Sequence, residues 1–309
     1  MSDVILSMKG IDKRFSGVHA LKSVDFSLKR GEIHGLVGEN GAGKSTLMNV
    51  LTGIHPKDSG EIHYFDHLFN PKGPKHALEL GIGIIHQELN MMYHLTVAQN
   101  IFVGREFTKK NGLFLDEKKL NQQAAKLFER LNIDINPTEI MGRLTVGKQQ
   151  MVEIARAVSH DLRILILDEP TAALSNTEID ELFKIMRDLA KRGVAMIYIS
   201  HRMDEIGKIT DRITVMRDGE LVGTQNTKET STSQIINMMV GRVIYEQPKL
   251  KSNVDKNAET VLKVEHLNAG RLVKDVSFNL KRGEILGFAG LMGAGRTKTA
   301  RAVFGADPI

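Results

Sequence analysis

Two copies of one glycine-rich octapeptide constrain the fold of this 309-residue chain more than any other feature. Residues 38–45 read Gly-Glu-Asn-Gly-Ala-Gly-Lys-Ser, and residues 290–297 read Gly-Leu-Met-Gly-Ala-Gly-Arg-Thr. The same hexapeptide, Leu-Lys-Arg-Gly-Glu-Ile, precedes each copy at residues 28–33 and 280–285. Lys44 and Arg296 are 252 residues apart, as are Gly31 and Gly283. The sequence therefore predicts one complete module followed by the opening of a second.

The first octapeptide has the context of a phosphate-binding loop. A strand-like run, Ile33–Val37, precedes it, and a helix-like run begins at Lys44. Glycines let the backbone turn sharply and point N–H groups inward, and the positive end of the next helix adds to the attraction for phosphate. We expect Lys44 to reach the β- and γ-phosphates of a nucleotide and the Ser45 hydroxyl to bind Mg²⁺.

Composition restricts the remaining function classes. The absence of cysteine excludes disulfides, thiol catalysis and zinc–thiolate sites. No apolar run approaches the ~20 residues of a membrane-spanning helix, so we expect a cytoplasmic protein whose membrane association is peripheral. The formal charge of +5 is interleaved with acidic residues and forms no stripe, so we expect a mixed surface and no nucleic-acid partner.

The order of strand-like and helix-like runs predicts an α/β fold. The strand-like runs are residues 4–8, 24–28, 32–37, 164–167, 194–199 and 212–216, and the helix-like runs are residues 44–52, 120–131, 148–159 and 177–191. Strands that alternate with helices favour a mostly parallel sheet covered on both faces. Residues 95–160 are expected to form a helical insertion.

Three chemically active side chains follow the central strand-like runs. Asp168 and Glu169 come directly after residues 163–167, and His201 follows residues 195–200. Strand ends of such sheets face the ligand crevice. We expect Asp168 to hold Mg²⁺, Glu169 to polarise the attacking water, and His201 to bind the γ-phosphate. The alternatives are that Asp168 and Glu169 stabilise a helix N-terminus and that His201 is a structural histidine. The nearby glycine loop favours the functional interpretation.

Two further segments leave their alternatives open. Gln87 follows residues 81–85, and it is either a contact to Mg²⁺ or water or a polar loop residue. Residues 144–148 lead into a helix, and Thr145 and Gly147 place a hydroxyl and a bare backbone near its N-terminus. That arrangement is either an anion site or an ordinary helix cap.

Together these motifs resemble the ATP-binding subunit of ABC transporters over nearly the whole chain. The resemblance implies an adenine-stacking role for Phe15, a Walker A motif at residues 38–45 and a Q-loop at Gln87. It also implies a signature motif at residues 144–148, in which Lys148 replaces the usual glutamine. The later motifs it implies are a Walker B motif at Asp168 with Glu169 as catalytic base, a D-loop at residues 173–175 and a switch histidine at His201. The nucleotide-binding residues so implied are Phe15, Gly38, Glu39, Asn40, Gly41, Ala42, Gly43, Lys44, Ser45, Thr46, Gln87, Thr145 and Gly147; the metal-binding residues are Ser45, Gln87 and Asp168; and the catalytic residues are Glu169 and His201.

Within that family, the chain is most similar to ATPases of ribose-type monosaccharide importers, which fuse two nucleotide-binding halves. Residues 81–89, 149–155 and 290–297 carry this likeness. It implies a P-loop ABC-type ATPase domain at residues 1–244, with a mostly parallel sheet core, an antiparallel β subdomain and a helical subdomain at about residues 93–162. Residues 245–259 are expected to be a linker, and residues 260–309 the incomplete start of a second such domain.

The resemblance also implies cofactors, partners and location. The implied cofactors are ATP and Mg²⁺. The implied partners are membrane permease subunits, indirectly a sugar-binding protein, and a second nucleotide-binding half or another copy. The implied location is the cytoplasmic face of the membrane. Because the second half lacks the later motifs, we expect a truncated chain with weak turnover. The alternatives are a remnant that binds ATP with little turnover, or a soluble ABC-type ATPase in translation or repair.

Overall fold

The structure is a computed structural model that describes residues 3–87, 89–109, 114–172, 174–241, 254–255, 257–290 and 293–308. The chain divides into two compact units, Met1–Ile244 and Tyr245–Ile309. Most of the expected linker, residues 245–253 and 256, lies outside the described residues. No helix in the described part of the chain is long and apolar enough to cross a membrane.

Strands and helices alternate along most of the first unit. The strands of the chain are β1 (Val4–Phe15), β2 (Val18–Lys29), β3 (Ile33–Val37), β4 (Ser59–Tyr64), β5 (His67–Leu68), β6 (Ile82–Ile85), β7 (Thr108–Lys109), β8 (Phe114–Leu115), β9 (Ile164–Asp168), β10 (Ala195–Ile199), β11 (Arg212–Arg217), β12 (Glu220–Asn226), β13 (Thr260–Ala269) and β14 (Val273–Lys281). The helices are α1 (Lys44–Leu51), α2 (Pro74–Glu79), α3 (Val97–Phe102), α4 (Glu117–Leu131), α5 (Val146–Val158), α6 (Asn176–Lys191), α7 (Met203–Ile209), α8 (Thr232–Val240) and α9 (Arg296–Phe304).

The centre of the first unit is a six-stranded sheet in the order β12-β11-β3-β10-β9-β6. All neighbours in it are parallel except the edge pair β11 and β12. Strands β3 and β10 are buried along their whole length, as expected for parallel strands covered on both faces. The predicted α/β fold with a mostly parallel sheet is confirmed.

A second, antiparallel sheet covers part of the first and has the order β2-β1-β4-β5. Its apolar face packs with α1 and residues such as Ile166 and Ile197 of the parallel sheet into one hydrophobic cluster. Strand β1 continues to Phe15, seven residues beyond the predicted run of residues 4–8. The register shifts in the second half of the strand explain this difference, because bulges interrupt the alternation of apolar and polar residues.

Helices α3, α4 and α5 form most of the region between β6 and β9. Leu120, Ala124, Leu127 and Leu131 form a buried apolar stripe along α4, within the predicted helix-like run of residues 120–131, and Asp116 caps the helix by accepting a hydrogen bond from the Lys119 backbone N–H. Residues 95–160 are nevertheless not helical throughout, because β7 and β8 pair as a short antiparallel ladder within them. Both strands are exposed two-residue segments, which leave little periodic signal in the sequence.

The repeated hexapeptide builds the same turn in each unit. The Glu32 carboxylate accepts a hydrogen bond from Lys29 N at 2.7 Å, and the Glu284 carboxylate accepts one from Lys281 N at 2.8 Å. The following residues differ: 33–37 form β3 between β10 and β11, whereas 285–289 form no strand. Ile285 is accordingly 95% exposed. The same local sequence becomes a buried strand only where neighbouring strands cover it.

A buried ion pair lies at the start of β3. Arg212 at the start of β11 brings its Nε to 2.6 Å from Glu32 Oε1, and His34 Nδ1 lies 3.2 Å from the same oxygen. Burial alone would raise the pKa of Glu32, but hydrogen bonds from His34 and Arg212 lower it to about 2. The carboxylate therefore remains charged and joins the adjacent strands β3 and β11.

Replacing this carboxylate tests its contribution to stability. We expect Glu32→Gln to lower the free energy of unfolding by about 3 kcal/mol near neutral pH, because Arg212 is left without its charged partner. Since the folded-state pKa of about 2 lies below the usual 4.5, the contribution of Glu32 is present above pH 4.5 and is lost as the pH falls toward 2. Urea unfolding at a series of pH values measures the difference between the two proteins.

Glu220→Gln is the matched control, because Glu220 pairs with Lys22 on the surface at 3.3 Å. This change is expected to alter stability by no more than about 0.5 kcal/mol. Equal effects of the two substitutions, or a Glu32→Gln difference that does not shrink in acid, would contradict the assigned role.

Candidate nucleotide site

Three strand ends of the parallel sheet bring distant residues to one edge. In the sheet register, Ile199 of β10 lies opposite Asp168 of β9 on one side and Leu36 of β3 on the other. The glycine loop, Asp168 and Glu169, and His201 therefore all follow from neighbouring strand ends. Ser45 Oγ lies 3.4 Å from Asp168 Oδ2, and His201 Nδ1 lies 3.1 Å from Glu169 Oε1.

The loop at residues 38–45 needs glycine for two separate reasons. Gly41 has a φ of 84° and Gly43, the N-cap of α1, a φ of 100°, both in the region that side chains disfavour. Gly43 is also crowded, because a Cβ atom there would lie 2.7 Å from the Ala20 carbonyl oxygen. Apart from the two chain neighbours of Gly41, no atom of the described residues lies within 4 Å of a Cβ placed there. The loop thus packs against β2 at Gly43 and is open at Gly41.

Lys44 folds back across this loop. Its Nζ donates hydrogen bonds to the carbonyl oxygens of Gly38 at 2.8 Å and Glu39 at 3.0 Å. Burial lowers the pKa of the Lys44 ammonium, and the nearby carboxylates of Asp168 and Glu169 oppose that shift. The ammonium is therefore held beside the loop backbone, close to the acidic strand end.

The oxygen-bearing side chains at this edge fit a magnesium ion. The Ser45 hydroxyl, the Asp168 carboxylate and the Gln87 amide line one cleft, and hard oxygen ligands are what Mg²⁺ prefers. Burial raises the pKa of Asp168, against the hydrogen bond from Ser45. A cation would offset the cost of keeping that carboxylate charged. Among the described residues no group of three His, Cys, Asp or Glu side chains could by itself hold a metal.

Glu169 adopts an unusual backbone conformation. Its φ is 48°, which non-glycine residues adopt rarely and at some cost, so such strain persists only where the surroundings hold it. Glu169 N donates to the Ile199 carbonyl at 2.9 Å, and its side chain meets His201. Glu169 lines the cleft described below, whereas His201 is not among its lining residues and its side chain is 68% exposed.

The cleft has a volume of about 740 Å³ and extends from the strand ends to Phe15. Phe15 is 40% exposed; His55 meets its ring edge-on at 5.1 Å, and Lys13 Nζ lies 5.4 Å from the ring centroid. An exposed ring face of this kind can stack on a nucleobase. The cleft lining includes residues 40–46, Gln87, Asp168 and Glu169.

Residues of β2 and of the turn after β11 close the cleft, and the sequence motifs did not predict them. His19, Lys22 and Asp218 line it. Lys22 N donates to the Gly219 carbonyl at 2.8 Å, and Gly219 N donates to the Ala42 carbonyl at 3.2 Å. Asp218 and Gly219 give a turn signal in the sequence, but only long-range pairing brings that turn to the loop.

Thr145 and Gly147 do not line this cleft. Thr145 caps α5, and its Oγ1 accepts a hydrogen bond from Lys148 N at 3.4 Å. Gly147 packs against the Glu178 carboxylate, so tightly that a Cβ atom would overlap it. Within the first unit the segment therefore forms a helix cap that lies apart from the loop at residues 38–45. The predicted D-loop is described only in part, since Ala173 lies outside the described residues.

Part of the chain matches a known protein family, and nearly all of it is similar to part of several named proteins. Residues 21–172 match the ABC transporter family. The chain is 56% identical over 305 residues to a Burkholderia cenocepacia (strain HI2424) protein whose name assigns it to ribose/galactose/methyl galactoside import as an ATP-binding protein, covering 99% of this chain and 59% of that one. It is 49% identical over 306 residues to the ribose import ATP-binding protein RbsA of Geobacillus kaustophilus (strain HTA426), covering 99% and 61%. The chain thus spans about three fifths of the length of these relatives.

A solved structure has the same fold. The crystal structure of an ABC transporter ATP-binding cassette in its ADP conformation matches with a TM-score of 0.68 at 26% identity, over 78% of this chain and 100% of that chain. The α/β fold of this chain therefore matches that of an ATP-binding cassette of an ABC transporter.

The two glycines offer a test of how the loop is held. We expect Gly41→Ala to cost about 1–2 kcal/mol of stability, the penalty for a side chain in the left-handed region. Gly43→Ala adds a collision with the β2 backbone, so it should cost more than Gly41→Ala and weaken ATP binding. Urea unfolding and equilibrium binding of ATP measure both quantities, with Gly41→Ala as the matched control. Equal costs would contradict close packing at Gly43.

Proposed function

We propose that the first unit, in which residues 21–172 match the ABC transporter family, binds and hydrolyses ATP to energise the import of a ribose-like monosaccharide. The observation that carries this proposal is the meeting of the glycine loop, the Ser45–Asp168 pair and the Glu169–His201 pair at one edge of the sheet. The names of the similar proteins support the choice of a sugar importer.

Binding is assigned to the loop, to Lys44 and to Phe15. Backbone N–H groups of residues 38–46 and the start of α1 hold the phosphates, and the Lys44 ammonium neutralises their charge. The ring of Phe15 stacks on adenine. Ser45, Asp168 and Gln87 would hold Mg²⁺, which when bound neutralises charge on the β- and γ-phosphates.

Hydrolysis is assigned to Glu169, with His201 beside it. The Glu169 carboxylate accepts a hydrogen bond from the attacking water, orients it and takes its proton. His201 Nδ1, 3.1 Å from Glu169 Oε1, fixes the direction of that carboxylate, and the exposed imidazole is available to the γ-phosphate. Positioning and electrostatic stabilisation supply most of the catalysis in phosphoryl transfer.

Thr145 and Gly147 are assigned to the nucleotide of another nucleotide-binding half, either a second half or another copy. Their position away from the cleft of their own unit supports this assignment. ATP bound between two halves contacts both of them only when the halves have closed on each other. Its binding therefore favours the closed arrangement. We propose that this closure drives membrane permease subunits at the cytoplasmic face of the membrane. A sugar-binding protein is the proposed indirect partner.

The second unit is proposed to be the start of a second ATP-binding domain, after a linker at residues 245–259. Gly293 and Gly295 have φ values of 83° and 86°, close to those of Gly41 and Gly43, and α9 follows as α1 does. Arg296 stands where Lys44 stands in the first loop. The alternatives, an inactive remnant or a soluble ATPase of translation or repair, are not favoured by the sugar-import names of the relatives.

Glu169→Gln tests the catalytic assignment. The amide cannot take a proton from water, so we expect phosphate release to fall about 100-fold or more while ATP affinity is retained. Glu181→Gln on the exposed face of α6 is the matched control and should change neither quantity. ATP binding and phosphate release, measured at one high protein concentration, give both results. Unchanged hydrolysis in Glu169→Gln would remove this residue from its role.

A further inference from the structure

A buried carboxylate lies behind the sheet edge that carries Glu169 and His201. Glu205 belongs to α7 and is only 2% exposed. Its Oε2 accepts hydrogen bonds from Thr171 Oγ1 at 2.7 Å and from Tyr198 OH at 2.6 Å. Thr171 and Tyr198 are buried as well. The carboxylate is therefore shielded from water and held by short, charge-assisted bonds.

The partners of Glu205 come from both loops of the site. Thr171 is two residues beyond Glu169. Ser200 and Arg202 flank His201; Ser200 Oγ lies 3.4 Å from Glu205 Oε2, and Arg202 Nη1 lies 2.6 Å from Oε1. Ser200 Oγ also accepts a hydrogen bond from Arg202 N at 3.1 Å. One carboxylate thus joins the segment after Glu169 to the segment that contains His201.

The two functional side chains need such support. Glu169 has a strained φ of 48°, and strained residues persist where neighbouring groups over-determine their conformation. His201 is exposed, so packing around its own ring restrains it little. The bond between Glu169 Oε1 and His201 Nδ1 depends on both loops keeping their separation. Glu205 lies between the two loops and contacts the buried Thr171 and Ser200 and the partly exposed Arg202.

We propose that Glu205 is a positioning residue for ATP hydrolysis, holding the Glu169 segment through Thr171 and the His201 segment through Ser200 and Arg202. The inference rests on the proposed function and deepens it. Glu205 is buried and is not among the residues that line the cleft, so its effect on the reaction is transmitted through the geometry of the Glu169–His201 pair. Small displacements of reacting groups are costly: a misplacement of about 1 Å can slow a reaction about 100-fold.

Thr171 offers a cleaner test than Glu205 itself. Removing the Glu205 carboxylate leaves Arg202 without its ion-pair partner and several hydroxyl groups without an acceptor, so the variant risks unfolding. Thr171→Val keeps the shape of the side chain and removes one hydroxyl, whereas Thr171→Ser keeps the hydroxyl. Thr210→Val is the matched control, since Thr210 is also buried and its Oγ1 bonds to Thr227 Oγ1 at 2.8 Å, outside this network.

We expect Thr171→Val to lower kcat for ATP about 10-fold while KM changes less than about 2-fold, because the reacting groups and not the binding groups have moved. Thr171→Ser should restore most of the lost kcat. Thr210→Val should lose thermal stability to a similar extent with kcat unchanged. Equal kcat in Thr171→Val and the unsubstituted chain, or an equal loss in Thr210→Val, would overturn the positioning role.

A spectroscopic readout tests the geometry independently of turnover. The ring resonances of His201 in ¹⁵N-histidine-labelled protein, assigned by their loss in His201→Ala, report its contact with Glu169. They should move in Thr171→Val in the same direction as in Glu169→Gln, and stay in place in Thr210→Val and Thr171→Ser. Unmoved resonances in Thr171→Val would overturn the proposal. Failure of the unsubstituted chain to bind ATP would instead overturn the proposed function, and the resonance shifts would still decide the role of Glu205.

Discussion

Parallel pairing of β3, β10 and β9 organises the first unit and its candidate site. Backbone hydrogen bonds place Leu36, Ile199 and Asp168 in line across the sheet. Because parallel strands all point the same way, every functional loop leaves from the same edge. The apolar residues that drive this pairing are buried almost completely. They therefore stabilise the fold and also hold the residues of the candidate site at one edge of the sheet. Without the pairing, residues 123 positions apart, such as Ser45 and Asp168, would not meet.

The duplicated loop shows what a local sequence can specify and what it cannot. The hexapeptide turn, the positive-φ glycines and the following helix form in both units. The strand between the turn and the loop forms only in the first, where β10 and β11 pair with it. Ile285 remains exposed, because no described strand of the second unit pairs with the segment that contains it. A phosphate-binding loop is therefore a local motif, whereas an acidic strand end and a histidine beside it require a completed sheet.

Sequence patterns predicted most of the fold and the proposed site, because their signals are local. The glycine loop, the apolar strands that end at Asp168 and Ile199, and the α4 stripe each lie within one short segment. The length of β1 was not predictable, since bulges break its alternation. Neither was the hydrogen bond between Thr171 and Glu205, which joins residues 34 positions apart. Such contacts depend on how elements pack, and a single sequence gives no signal for them.

We propose that a glycine loop becomes a nucleotide site only when Asp168, Gln87 and Phe15 complete its cleft. The number of ATP molecules that one chain binds tests this directly. Equilibrium dialysis of the whole chain with labelled ATP and Mg²⁺ gives this number, and a Lys44→Ala variant shows which loop is responsible. We predict one ATP per chain, lost in the variant. Two ATP molecules per chain, or one that survives loss of Lys44, would contradict the claim.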